Sequence, residues 1–214
     1  MNLTELLKVA DAQRTIEWEN QLLTAFADSH IQLLAEEPQS GPDGWPYMVV
    51  KLDEQGSEPA QKLLHWTAQR GIGIVINPQK TYPDFVLTYG MIWQFRETGF
   101  FIKRNLTKDQ SSHASLVDLD FSKANFREPS VEILPDYVKV VLRDFFSQQQ
   151  IQKPRISICY WQNGGFDLVF SLESLGSPQE SEHAGIAEAL SWFLPPHYSI
   201  MFFSEKQIPA FWDL

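Results

Sequence analysis

The sequence predicts an α+β protein of two similar modules, each reading helix, strand, strand, helix, strand, with mixed sheets and helices on one face. Three observations carry this expectation. The stretch Gly44 to Ser57, GWPYMVVKLDEQGS, is echoed 120 positions later by Gly164 to Ser177, GGFDLVFSLESLGS. Both read glycine, an apolar-rich run ending in leucine, an acidic residue, two variable positions and Gly-Ser. Past a six-residue insertion the echo continues, with Trp66, Ile74 and Ile76 opposite Trp192, Ile200 and Phe202 at a spacing of 126. Finally, helical and strand periodicities alternate in the same order in each half. The expected organisation is an N-terminal module over 1–104, a linker over 105–130 and a C-terminal module over 131–214.

In the first half, Trp18, Leu22, Leu23 and Phe26 make one apolar stripe on a helix from Arg14 to Asp28. A short strand follows at His30 to Leu34. The segment Ala35 to Gly44, AEEPQSGPDG, is dense in proline, glycine and acids and reads as a loop. Trp45 to Leu52 is β-branched and aromatic, hence a strand. Ser57 ahead of Pro59 reads as a helix start, since the hydroxyl accepts a spare amide hydrogen bond and proline needs none at the first helical position. Gly71 stops that helix, and Ile72 to Asn77 is a largely buried strand ended by Pro78.

From Phe85 the odd positions Phe85, Leu87, Tyr89, Met91, Trp93 and Phe95 are all apolar. Period two predicts a long strand, bent at Gly90, that turns at Glu97-Thr98-Gly99 onto a second strand from Phe100 to Lys103. The polar stretch from Asn105 to Pro129 reads as a linker or a partly ordered crossing segment. Pro135 and Asp136 then open a helix carrying Val138, Val141, Leu142 and Phe145. Arg155 to Trp161 and Phe166 to Glu173 form a hairpin around Asn163-Gly164, because both turn residues accept positive φ. A helix from His183 to Phe193, a strand from Tyr198 to Phe203 and the tail IPAFWDL, folded back onto the module, complete the chain.

The chain has 214 residues, formal net charge -10 and a pI near 4.9. That field opposes nucleic acid and anionic membranes as partners. One cysteine, Cys159, cannot form an internal disulfide, and the first residues lack the basic start and apolar core of a secretory signal. Both facts fit a reducing cytoplasm. No apolar run reaches the roughly 18 to 20 residues that span a bilayer.

Catalytic and cofactor motifs do not rise above background. His30, His65, His113, His183 and His197 show no i, i+4 pairing and no second cysteine, so a metal framework is not expected. Ser57 and Ser177 read as loop or cap residues outside any G-x-S-x-G. Cys159 sits between Ile158 and Tyr160, where a small buried hydrophobe is the usual occupant. Gly71-Ile72-Gly73 enters a strand, whereas nucleotide-binding glycine loops enter a helix. No cofactor is expected. The surface candidate is the aromatic row Tyr89, Met91, Trp93 and Phe95 with Phe100 and Phe101. As a sheet's buried face it is core; as an exposed edge or groove it binds a protein partner.

The words RISICYWQNGGFDLVFSLESLGS, LPPHYSIMFF and IPAFW resemble the C-terminal domain of the SseB family, named for enhanced serine sensitivity. GWPYMVVKL to GIGIVINP is similar, more loosely, to that family's N-terminal domain, where a strand-helix-strand unit also ends in Asn-Pro. The resemblance implies a bacterial, cytoplasmic protein of two α/β domains without an established catalytic site. The expected function is accordingly non-enzymatic: a regulatory or adaptor protein that binds another protein through a sheet edge or the aromatic hairpin, with a homodimer left open. The alternatives are a secretion-chaperone-like acidic dimer, or a ligand-binding or catalytic site between the modules, where Tyr160, Glu182 and His183 are the first suspects.

Overall fold

A computed structural model of the chain describes residues 3–52, 56–79, 82–101, 124–161, 165–208 and 210–214. The chain divides into two compact units, Met1–Ile102 and Lys103–Leu214, each with its own sheet.

The first unit begins with α1 (Leu3–Leu6), a 3-10 turn at Asp11–Gln13 and α2 (Ile16–Ala27). Thr15 caps α2, its hydroxyl accepting from the Trp18 amide. The expected stripe of Trp18, Leu22, Leu23 and Phe26 is buried. Then come β1 (His30–Leu33), β2 (Gln39–Ser40), β3 (Pro46–Leu52), β4 (Glu58–Pro59), α3 (Ala60–Ala68), β5 (Gly73–Ile76), β6 (Phe85–Leu87) and α4 (Tyr89–Thr98). The sheet runs β4-β1-β3-β5-β6, with β2 beside β3. Among the described residues of this unit only β3 and β5 run parallel, joined through α3 as a parallel pair requires. Met48, Val50, Ile74, Ile76 and Leu87 are fully buried on one face. Phe85, opposite Ile76, packs against Leu6, Trp18 and Leu22, so this is the helix-covered face. On the other face Tyr47 lies across Gly73, where an added Cβ would come 2.5 Å from the ring.

The second unit contains β7 (Ala124–Arg127), α5 (Asp136–Gln148), β8 (Arg155–Trp161), β9 (Phe166–Ser171), α6 (Glu180–Phe193), β10 (Ser199–Phe203) and β11 (Trp212–Asp213). The order is β10-β9-β8, with β11 and β7 pairing successive parts of β8 on its other side. Again one pair, β9 and β10, is parallel and bridged by a helix. Phe170 meets Phe146 of α5 and Phe202 meets His183 of α6, which places both helices on one face. On the opposite face Ile208 and Phe211 of the tail pack on Cys159 and Val169. Burial of this apolar cluster folds the tail back.

The echo in the sequence is a repeat in the topology. Residue 48 and residue 168 are equivalent at the 120 spacing, 74 and 200 at the 126 spacing. Met48 pairs Ile74, and Leu168 pairs Ile200; Val50 pairs Ile76, and Phe170 pairs Phe202. The strand before each pair is antiparallel to it in both units. Phe26 of α2 and Phe146 of α5, also 120 apart, are both buried.

Three expectations are corrected. The long strand and hairpin from Phe85 to Lys103 is β6 followed by helix α4. Thr88 caps α4 by accepting from the Met91 amide, and Gly99 ends it at φ 74. Tyr89, Ile92 and Trp93 form a helical stripe in the core, so the alternation of odd positions was incidental to the fold. Ser57 is not the cap of α3, because Glu58–Pro59 pairs β1 and Pro59 itself precedes the first helical residue. The linker ends earlier than residue 130, since Ala124–Arg127 is a strand on β8. The rest of the expected linker, residues 105–123, the second strand of the hairpin beyond Phe101, and the Asn163-Gly164 turn lie outside the described residues.

Candidate partner-binding surface

The aromatic row divides by position on α4. Tyr89, Met91 and Trp93 are buried, and the Tyr89 hydroxyl donates to the Ala68 carbonyl at 2.9 Å, tying α4 to α3. Phe95 is half-buried and stacks on buried Phe101 with ring centroids 4.3 Å apart. Phe100, 51% exposed, is the member of the row that keeps a large surface. Tyr89, Met91 and Trp93 therefore supply core packing.

The suspects Tyr160, Glu182 and His183 are not brought together into a catalytic arrangement. Glu182 closes a capping box, its carboxylate accepting from the Gln179 amide at 2.7 Å. His183 lies on Phe202 with its Nε2 3.3 Å from the Pro178 carbonyl. Tyr160 packs against Phe166 and receives the Arg127 guanidinium over its ring. Cys159 is buried, and burial, followed by the Asp167 charge, pushes its thiol up to about 12. A thiol so raised is a poor nucleophile. Among the described residues, no three of His, Cys, Asp and Glu cluster as a metal site.

Two polar networks are structural. In the first unit, buried Asp84 accepts from Arg14 at 3.0 Å and from Asn77 Nδ2 at 2.8 Å. Asn77, at φ 54, accepts the Leu52 amide on its Oδ1 at 2.9 Å. In the second unit, Glu205 receives Arg155 at 2.5 Å and the Ser171 hydroxyl at 2.7 Å, while Arg155 also donates to the Phe211 carbonyl at 3.0 Å. Each carboxylate is engaged with several donors that fasten chain segments, which is the work of a clasp.

What remains is a sheet edge. Among the described residues β10 pairs only with β9 and ends its sheet. Phe203 accepts from the Leu172 amide, which fixes the inward-facing residues of the parallel ladder as Ser199, Met201 and Phe203. The N–H and C=O groups of Ile200 and Phe202 consequently point away from the sheet. The strand SIMFF is apolar and no residue in it is fully buried. Its tail-side face continues into half-buried Met201, Phe203, Trp161 and Phe126. An apolar terminal strand with outward main-chain groups is a template for another strand. Periodicity alone could read Ser199–Phe203 as a strand, but its pairing needed the sheet.

These features define a two-unit α+β protein whose most distinctive surface is a sheet edge and whose described residues hold no assembled catalytic group. No family model, no curated protein and no solved structure matches the chain. Among the described residues, no helix is long and apolar enough to cross a membrane.

Proposed function

We propose that this is a non-enzymatic cytoplasmic protein, an adaptor or regulator of the SseB kind, that binds another protein through the β10 edge of its C-terminal unit. The observation that carries the reading is the outward-facing main chain of Ile200 and Phe202 on an apolar terminal strand. Strand addition at such an edge takes affinity from main-chain hydrogen bonds and selectivity from alternate side chains. The Arg155–Glu205–Ser171 network supports it by holding the tail and the segment after β10 without drawing on that edge.

The test is site-specific photocrosslinking in cells, with a photoreactive residue at exposed Ser199 and, as control, at Val140 on the exposed side of α5. A discrete adduct from position 199 that is absent from position 140 is the expected result. Equal adducts at both, or none at 199, would overturn the reading.

A further inference from the structure

The first unit shows what the corresponding edge accepts. At the 126 spacing β5 is the counterpart of β10, and the outer side of β5 carries β6, antiparallel, with Ile74 opposite Leu87 and Ile76 opposite Phe85. The frame thus has room for one more antiparallel strand beyond this position. On the helix-covered side, α4 accompanies β6 in the first unit. In the second unit the flank of α6 borders that space.

That flank can be placed from the contacts of α6. Phe193 meets Phe145 of α5 at 4.7 Å and His183 meets Phe202 of β10, so α5 lies on one side of α6 and the open edge on the other. At 100° per residue the side turned from α5 carries Glu180, Ala184, Glu188 and Ser191, all exposed, with half-buried Ala187 between them and His183. Two glutamates and two small residues make an acidic, shallow wall beside the edge. From Ser177 to Leu214 there are five Asp or Glu residues and one lysine, Lys206, which lies past the end of β10.

We infer that the β10 edge takes an extended basic peptide as an added antiparallel strand, with Lys or Arg on alternate residues facing the Glu180–Glu188 flank of α6 and apolar residues facing the Met201 and Phe203 side. This rests on the reading that β10 is the contact edge. Opposite charge at the flank selects the basic strand, and the alternation follows from the two-residue period of a strand. A second copy of the chain is the weaker occupant. Antiparallel pairing of two β10 strands about a twofold axis normal to the sheet brings two α6 flanks together, each bearing Glu180 and Glu188 and no lysine or arginine.

The experiment uses the full chain and labelled peptides alternating lysine with valine or glutamate with valine, read by fluorescence anisotropy at low salt. The lysine peptide is expected to bind at least tenfold tighter than the glutamate peptide, and its affinity to fall with added salt. Ile200→Pro removes an outward N–H that β9 does not use, a position at which an edge strand tolerates proline, and should abolish binding. N-methylation of alternate peptide amides should do the same with the protein unaltered, which keeps the test valid if the proline variant does not fold. Glu180→Lys with Glu188→Lys should weaken the lysine peptide at least tenfold. If both peptides bind equally and both are lost in Ile200→Pro or on N-methylation, the edge stands and the basic occupant is overturned. If the lysine peptide binds but survives N-methylation, or if no peptide binds, strand addition at β10 is overturned with it. A dimer of the protein alone by sedimentation, lost in Ile200→Pro, would replace the peptide with a second copy.

Discussion

At Ile74–Ile76 the outer edge of the first unit's parallel pair is occupied by β6, whereas at Ile200–Phe202 the same edge of the second unit ends its sheet among the described residues. The two units otherwise keep one frame: helix, strand, antiparallel strand, helix, parallel strand, in equivalent register. They extend it differently. The first adds β6 and α4 beyond β5 and β4 beyond β1, whereas the second adds β7 and β11 beyond β8 and, among the described residues, nothing beyond β10. The lesson is that register is held by the central apolar pairs, so either edge can be elaborated without disturbing them.

Asn77 shows how the first edge was closed. Its counterpart Phe203 accepts the Leu172 amide on its main-chain carbonyl. Asn77 has a left-handed backbone and accepts the equivalent Leu52 amide on its side chain, while its Nδ2 holds Asp84, the residue before β6. The chain turns away at the point where the second unit runs straight on.

The shared frame is tested most severely by Phe26→Ala and Phe146→Ala. Each leaves a cavity under its own sheet and should cost about 3–5 kcal/mol, read as matched losses in urea unfolding. A large loss in one unit alone would break the equivalence. Asn77→Ala should cost about 2–4 kcal/mol by leaving the Leu52 amide and Asp84 short of partners, with hydrogen exchange speeding at Leu52. The counterpart amide of Leu172 should be unmoved. Gly73→Ser should cost about 1–3 kcal/mol through overpacking against Tyr47, whereas Ser199→Gly at the equivalent position should cost less, by thermal unfolding. The smallest effect is expected for Trp66→Ala. Trp66 is 38% exposed with Arg70 over its ring, so its loss should cost about 0.5–1 kcal/mol. Trp192, its counterpart, is 7% exposed and should cost several times more on truncation; parity between them would count against distinct roles.

Much of this frame was legible because its signals are local. β3, β5, β9 and β10 announced themselves by apolar runs, and the 120 and 126 spacings predicted the equivalence of β3 with β9 and of β5 with β10 before any pairing was known. Tyr89 to Phe95 misled because a seven-residue stretch rich in large apolar residues satisfies period two and period 3.6 together. Thr88 and Gly99 were the discriminating signals, a helix cap at one end and a left-handed stop at the other. Ser57 had the chemistry of a cap, but pairing of Glu58–Pro59 with β1 took precedence. The edge was less legible still. SIMFF reads as a strand from its residues, yet whether a strand ends its sheet is decided by segments far away in sequence.

Asn77 also bears on how the first unit is made. The outward main chain of Ile74 and Ile76 is an adhesive surface until β6 reaches it. Only seven residues separate Asn77 from Asp84, about a second of synthesis at roughly 5–20 residues per second. The side chain that bends the backbone also grips the next segment to emerge, so the nascent edge is covered almost as soon as it exists.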